Sequence, residues 1–166
     1  MRRELVCLLG ISFLAAGCAR GPYVDSGAYN PVSTAAYTRA ETVPAGQRLV
    51  NAMLADPVFA RHYAAKVAAR GGTPLLQVAY IENLSTTRNA TALDALRNDI
   101  ETALRASGRF ILSGDPDACD YILRGAYRDL PDGRRVTHRV TFRLHDTAAD
   151  LDVWTGSDEI AKEGTP

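Results

Sequence analysis

The chain has 166 residues, a formal net charge of zero, and 46% hydrophobic and 23% charged residues. These values fit one globular domain of ordinary size. The balanced charge excludes a dedicated nucleic-acid binder, which would carry a basic excess.

Arg2 and Arg3 make a positive start, and Leu5 to Ala16 is a largely apolar run of 12 residues, too short to span a bilayer. It ends in Leu14-Ala15-Ala16-Gly17-Cys18. Small residues directly before a cysteine form a lipobox. Residues 1–17 therefore read as a lipoprotein signal peptide, cleaved before Cys18, whose thiol is then acylated. Ala19 follows, not the aspartate that commonly holds lipoproteins at the inner membrane, so outer-membrane sorting is expected. Cys7 leaves with the signal and Cys18 carries lipid. Cys119 then has no disulfide partner and reads as a small buried residue. Residues 18–43 hold Gly, Pro, Ser, Thr and scattered tyrosines, Tyr37 among them, without helical or strand period. They read as a lipidated flexible tether, and residues 44–166 as the globular domain.

Pro44 to Arg70 reads as two helices. Leu49, Val50, Met53 and Leu54 stripe the first. Asp56-Pro57 caps the second, which carries Val58, Phe59, Tyr63 and Val67 and stops at Gly71-Gly72. His62 reads as a surface histidine. Leu75 to Ile81 is a mostly apolar run suited to a strand buried on both faces. A polar loop from Glu82 to Ala90 follows. Leu93, Leu96, Ile100, Ala103 and Leu104 then recur at helical spacing, with Gly108 as the stop. Arg109 to Leu112 starts a second strand, completing a βαβ unit.

Gly114-Asp115-Pro116-Asp117 is a turn. Tyr121 to Arg128 is a strand with Tyr121, Leu123 and Tyr127 on one face and Arg124 and Arg128 on the other. Leu130-Pro131-Asp132-Gly133 turns the chain. Arg134 to Leu144 alternates cleanly, with Val136, His138, Val140, Phe142 and Leu144 opposite Thr137, Arg139, Thr141 and Arg143. A last strand runs from Leu151 to Ile160. The expected fold is α+β: a mixed sheet built from one βαβ unit followed by an antiparallel meander, with N-terminal helices packed on it.

The sequence holds no GxSxG, Walker loop, CxxC or HExxH, and no nucleophile–base pair. His138 reads as a core histidine. His145, Asp146, Asp150 and Asp152 gather round a turn, where polar residues belong, so no metal or other cofactor is expected. The hairpin register would put Arg124, Arg128, Arg139 and Arg143 on one sheet face. Arginine forks suit carboxylates or phosphates. The favoured reading is plainer: a solvated face balanced by Asp152, Asp158 and Glu159, or arginine stems lying under a helix. The loop holding Asn83, Thr86, Thr87 and Asn89 is a second candidate partner surface.

A family resemblance joins these features. The lipobox and tether, PLLQVAYIEN ending in Ile81-Glu82-Asn83, the helix LDALRNDIETALRASGRF, YILRGAYRD, and LDVWTGSDEI with Trp154-x-Gly156 follow one another. In that order they resemble the LpoB-type outer-membrane lipoproteins that activate penicillin-binding proteins. The resemblance spans about Pro44 to Lys162. It implies a non-enzymatic, periplasm-facing lipoprotein that binds a bifunctional peptidoglycan synthase and stimulates cell-wall synthesis. It also implies a sheet flanked by helices, related to the N-terminal domain of TolB. Family members often carry a longer segment with a helix between the second and third strands; here Gly114 to Cys119 makes that link. CsgG-type secretion lipoproteins share the βαβ layout and are the alternative. Their additional transmembrane strands need length that this chain does not have.

Overall fold

The computed structural model describes residues 37–85, 89–133 and 135–163. Two helices come first, α1 (Arg39–Ala55) and α2 (Pro57–Arg70), followed by β1 (Leu75–Asn83), α3 (Ala90–Ser107) and β2 (Ile111–Leu112). After a 3-10 turn at Pro116–Ala118 come β3 (Tyr121–Asp132), β4 (Arg135–Asp146) and β5 (Leu151–Glu163). The five strands form one mixed sheet in the order β2-β1-β3-β4-β5. β1 is parallel to both β2 and β3, and β3, β4 and β5 make an antiparallel meander. The fold is the expected α+β arrangement, with one βαβ unit and N-terminal helices. Among the described residues no helix is long and apolar enough to cross a membrane.

One core joins the helices to a single face of the sheet. Leu49, Val50 and Met53 of α1, Phe59 of α2, and Leu93, Leu96, Ile100 and Leu104 of α3 are all buried. They pack against Leu76, Val78, Tyr121, Leu123, Val140, Phe142, Leu144 and Trp154. The predicted stripes of α1 and α3 are thus the packed ones. Cys119 is buried as expected, with its thiol donating to the Asp115 carbonyl, and burial pushes that thiol's pKa up.

Several expectations need correction. α1 begins at Arg39 rather than Pro44, which lies inside the helix. The start signal is Thr38 with Glu41 three residues on: the Glu41 carboxylate accepts the Thr38 N–H at 2.8 Å, as in a capping box. Tyr37, read as part of the tether, is buried against the rings of Tyr127 and His138. Val58 faces solvent, so α2 buries Phe59 alone and half-buries Tyr63 and Val67.

β1 is covered on one face only, because the helices all lie on the same side. Its pairing with β3 slips by one residue between Val78 and Ile81. That bulge turns Tyr80 outward, 78% exposed, with the Arg97 guanidinium 4.7 Å above its ring. β2 is shorter than predicted, with Arg109 and Phe110 outside it. β3 runs on to Asp132 and includes Pro131. Proline is tolerated there because β1 ends opposite Tyr127, so the missing N–H breaks no ladder on that side.

Polar staples fasten the helices to the sheet. Arg48 forks onto Asp158 at 2.9 and 2.8 Å, and Lys162 reaches Glu41 at 2.8 Å. Thr42, fully buried, donates to Asp99 at 2.7 Å and ties α1 to α3. Asp146, the last residue of β4, is also fully buried and accepts from Lys66 at 2.8 Å. His62 Nε2 lies 2.7 Å from its other oxygen. His62 is thus part of a helix–sheet tie and not a free surface residue.

Two glycines set how closely the core rings lie on the sheet. Gly125 and Gly156 flank Phe142 in register on β3 and β5. A Cβ on Gly125 would lie 2.5 Å from the Phe142 ring, and one on Gly156 2.2 Å from the Trp154 indole. The Trp154-x-Gly156 pair is therefore a packing unit in which the indole folds over the glycine. Gly125→Ala should cost about 1–3 kcal/mol by overpacking. Gly114→Ala, where nothing lies within 4 Å, should cost under about 0.5 kcal/mol. Denaturant unfolding of both variants measures the difference.

Candidate functional site

With all three helices on one side, the other face of the sheet has no covering layer among the described residues. Strand alternation places Arg124, Ala126 and Arg128 of β3 on it, together with Arg139, Thr141 and Arg143 of β4 and Thr155, Ser157 and Glu159 of β5. The register sharpens the predicted arginine group. Arg124 lies directly opposite Arg143, and Arg128 directly opposite Arg139. All four are exposed, and like charges facing each other across strands cost stability.

Among the described residues no helix lies over the arginines, and the acids on this face are unevenly placed. Arg139 Nε donates to Glu159 at 2.6 Å. Arg143 approaches Asp152 only to 3.9 Å, and Asp152 is also 3.2 Å from His145 Nδ1. Arg124 and Arg128 have no acidic partner among the described residues. Asp158 is on the opposite face, held by Arg48, and so does not balance the group.

The second candidate surface is arranged differently from its sequence reading. Thr86 and Thr87 lie outside the described residues. Asn83 is exposed, and its side chain accepts from the Ser85 N–H at 3.0 Å. Asn89 is buried and points inward, donating to the Tyr127 hydroxyl at 2.8 Å, so it offers the surface nothing. Tyr127 also holds the other end of this segment, its carbonyl accepting from the Leu84 N–H at 2.9 Å.

The Tyr127 hydroxyl donates in turn to Asp129, and His138 Nδ1 is 2.7 Å from both. Burial first, then the Asp129 carboxylate, pushes the Tyr127 phenol upward, so it stays a neutral donor. His138 is a core histidine as expected, but its Nε2 has no hydrogen-bond partner among the described residues. Sequence reading missed this polar cluster. The alternation marked Tyr127 and His138 as inward but could not say that Asn89 and Asp129 would meet them.

Among the described residues no group of His, Cys, Asp and Glu could hold a metal ion. Asp146 in particular turns into the core, away from Asp150 and Asp152.

The fold and this face define a class: a two-layer α+β domain with paired arginines on one face of its sheet. Comparison with protein-family models and with curated proteins returns no match. Among solved structures, the chain is similar to the LpoB C-terminal domain from Escherichia coli, at 16% identity and TM-score 0.47, over 74% of this chain and 99% of that one. It is similar to the LpoB C-terminal domain from Salmonella enterica at 14% identity and TM-score 0.44, over 72% of this chain and 98% of that one. It is also similar to the PelC dodecamer from Paraburkholderia phytofirmans, at 20% identity and TM-score 0.42, over 57% and 76% respectively.

Proposed function

We propose that this protein is an outer-membrane lipoprotein, anchored through Cys18, that binds a penicillin-binding protein in the periplasm and raises its glycan-polymerising activity. It has no catalysis of its own in this reading. The observation that carries the proposal is the sheet face with opposed arginines, over which no helix lies among the described residues. The sequence resemblance supplies the kind of partner. Its segments fall on coherent elements: Pro74 to Asn83 leads into and forms β1, Leu93 to Phe110 covers most of α3 and its exit, and Trp154-x-Gly156 lies in β5. Because Tyr37 is packed into the core, the tether in this reading is residues 18–36 rather than 18–43. Such a tether reaches at most about 60–70 Å fully extended.

Two measurements test the reading. Cys18→Ala should abolish acylation and release the protein from membranes, and mass spectrometry of the mature wild-type chain should find Cys18 lipidated. The purified lipoprotein, in detergent, should accelerate glycan-strand formation by at least one bifunctional synthase from the same cell. No acceleration of any of them would end the proposal.

A further inference from the structure

The open face is not a flat field of charge. Ala126, Thr141 and Ser157 lie side by side across β3, β4 and β5, between the two arginine rows. On β1, Glu82 stands opposite Ala126 and closes one end of that line. Arg124 and Arg143 form one wall, continued by Thr155, and Arg128 and Arg139 the other, continued by Glu159. The walls are four residues apart along the strands, or about 13 Å. The result is a shallow trough, floored by small side chains and crossing the strands.

We infer that this trough receives an acidic α-helix of a partner protein, and that the row of Arg124 and Arg143 is its principal contact. This deepens the function proposed above and rests on it for the identity of the partner. An α-helix with its side chains is about 10–12 Å across, which matches the spacing of the walls. An extended segment is narrower and would engage one wall at a time. Carboxylates along both flanks of such a helix would meet arginine forks on both sides.

The two walls are not equivalent. Arg124 and Arg128 alike have no acidic partner among the described residues, but Arg139 is engaged by Glu159 at 2.6 Å whereas Arg143 has only Asp152 at 3.9 Å. A partner carboxylate therefore gains more at the Arg124–Arg143 wall, where it relieves like-charge repulsion. A helix can set discrete carboxylates over the arginines and keep clear of Glu82, Asp152 and Glu159 on the same face, whereas an anionic membrane surface presents charge everywhere and favours uniformly basic patches. A helix with its N-terminus over Glu82 would also place the positive end of its dipole on that acid.

The test uses the full lipidated chain in detergent, with Arg124→Glu/Arg143→Glu, Thr141→Trp, which fills the floor without changing charge, and Arg139→Gln. The probes are the synthase that the wild type stimulates, a helical peptide of about 20 residues with glutamates on both flanks, and phosphatidylglycerol vesicles, the last tested without detergent on the Cys18→Ala chain and its arginine double reversal so that no acyl anchor inserts. Thermal melting confirms that each variant is folded. The double reversal and Thr141→Trp should each weaken synthase and peptide binding about tenfold or more, and Arg139→Gln should weaken it less. Stimulation by the wild type that every variant retains would overturn the trough and leave the function standing. Peptide binding that the variants lose, without stimulation of any synthase, would keep the trough and end the proposed function. Binding to vesicles but not to peptide, abolished by the double reversal, would overturn the helical protein occupant.

Discussion

Asp146→Ala should lower folding stability by about 3 kcal/mol, among the largest effects of any polar substitution in this chain. The carboxylate is fully buried and accepts from Lys66 and from the N–H groups of Ala148 and Ala149, with His62 on its second oxygen. Removing it strands the Lys66 ammonium in a half-closed site and frees the turn that follows β4. Burial alone would raise the pKa of this acid. The Lys66 hydrogen bond, the Ala149 N–H and His62 outweigh burial and hold it down to about 2, from an ordinary 3.8. A carboxyl held that low adds about 2–3 kcal/mol to the folded state at neutral pH. Because the folded-state pKa is depressed, this stability is fully present above about pH 4 and is lost as pH falls through about 2. Urea titrations of wild type and variant should therefore differ most at pH 5 to 7 and converge toward pH 2. A gap that does not shrink on acidification would mean that the charge of Asp146 is not what matters.

What the sequence made legible, and what it hid, follows from how each residue is held. The stripe of α3 and the alternation of β4 were readable because repeated apolar side chains at a fixed period have one way to be buried. The grouping of the arginines was readable for the same reason, since strand parity and a hairpin turn fix which residues share a face. Their neutralisation was not. It depends on β5, whose register against β4 shifts between Leu144 and His145, and that shift decides that Glu159 meets Arg139 while Asp152 falls short of Arg143. Tyr37, Asn89 and Asp146 were all assigned to solvent because polar or isolated residues beside turns usually belong there. Each is buried through a partner distant in sequence: Tyr127 and His138 for Tyr37, Tyr127 for Asn89, and Lys66 and His62 for Asp146. Local pattern carries no information about such partners. The one local signal overlooked was Thr38-x-x-Glu41, which marks the true start of α1.

Ile100→Ala should cost about 4 kcal/mol, near the upper end for an aliphatic truncation. Ile100 lies where α1 and α3 come close: a Cβ on Gly46 would be only 3.3 Å from both its Cγ1 and its backbone nitrogen. Helices already this close cannot move together to fill the space a shorter side chain leaves. Ile100 also borders a narrow apolar crevice shared with Leu49, Val50, Met53, Leu123, Phe142 and Trp154, so the new cavity would join an existing gap and lose more contacts than an isolated one. Leu104→Ala, one turn further along α3 and fully buried but outside that crevice, should cost about 3 kcal/mol. Asn98→Ala, on the exposed side of the same helix, should cost under about 0.5 kcal/mol. Denaturant unfolding at constant m-value would rank them Ile100, Leu104, Asn98. Equal losses at all three would contradict the packing of α3 described above. A smaller loss at Ile100 than at Leu104 would show that α1 can settle onto α3, and that the close approach at Gly46 does not fix their spacing.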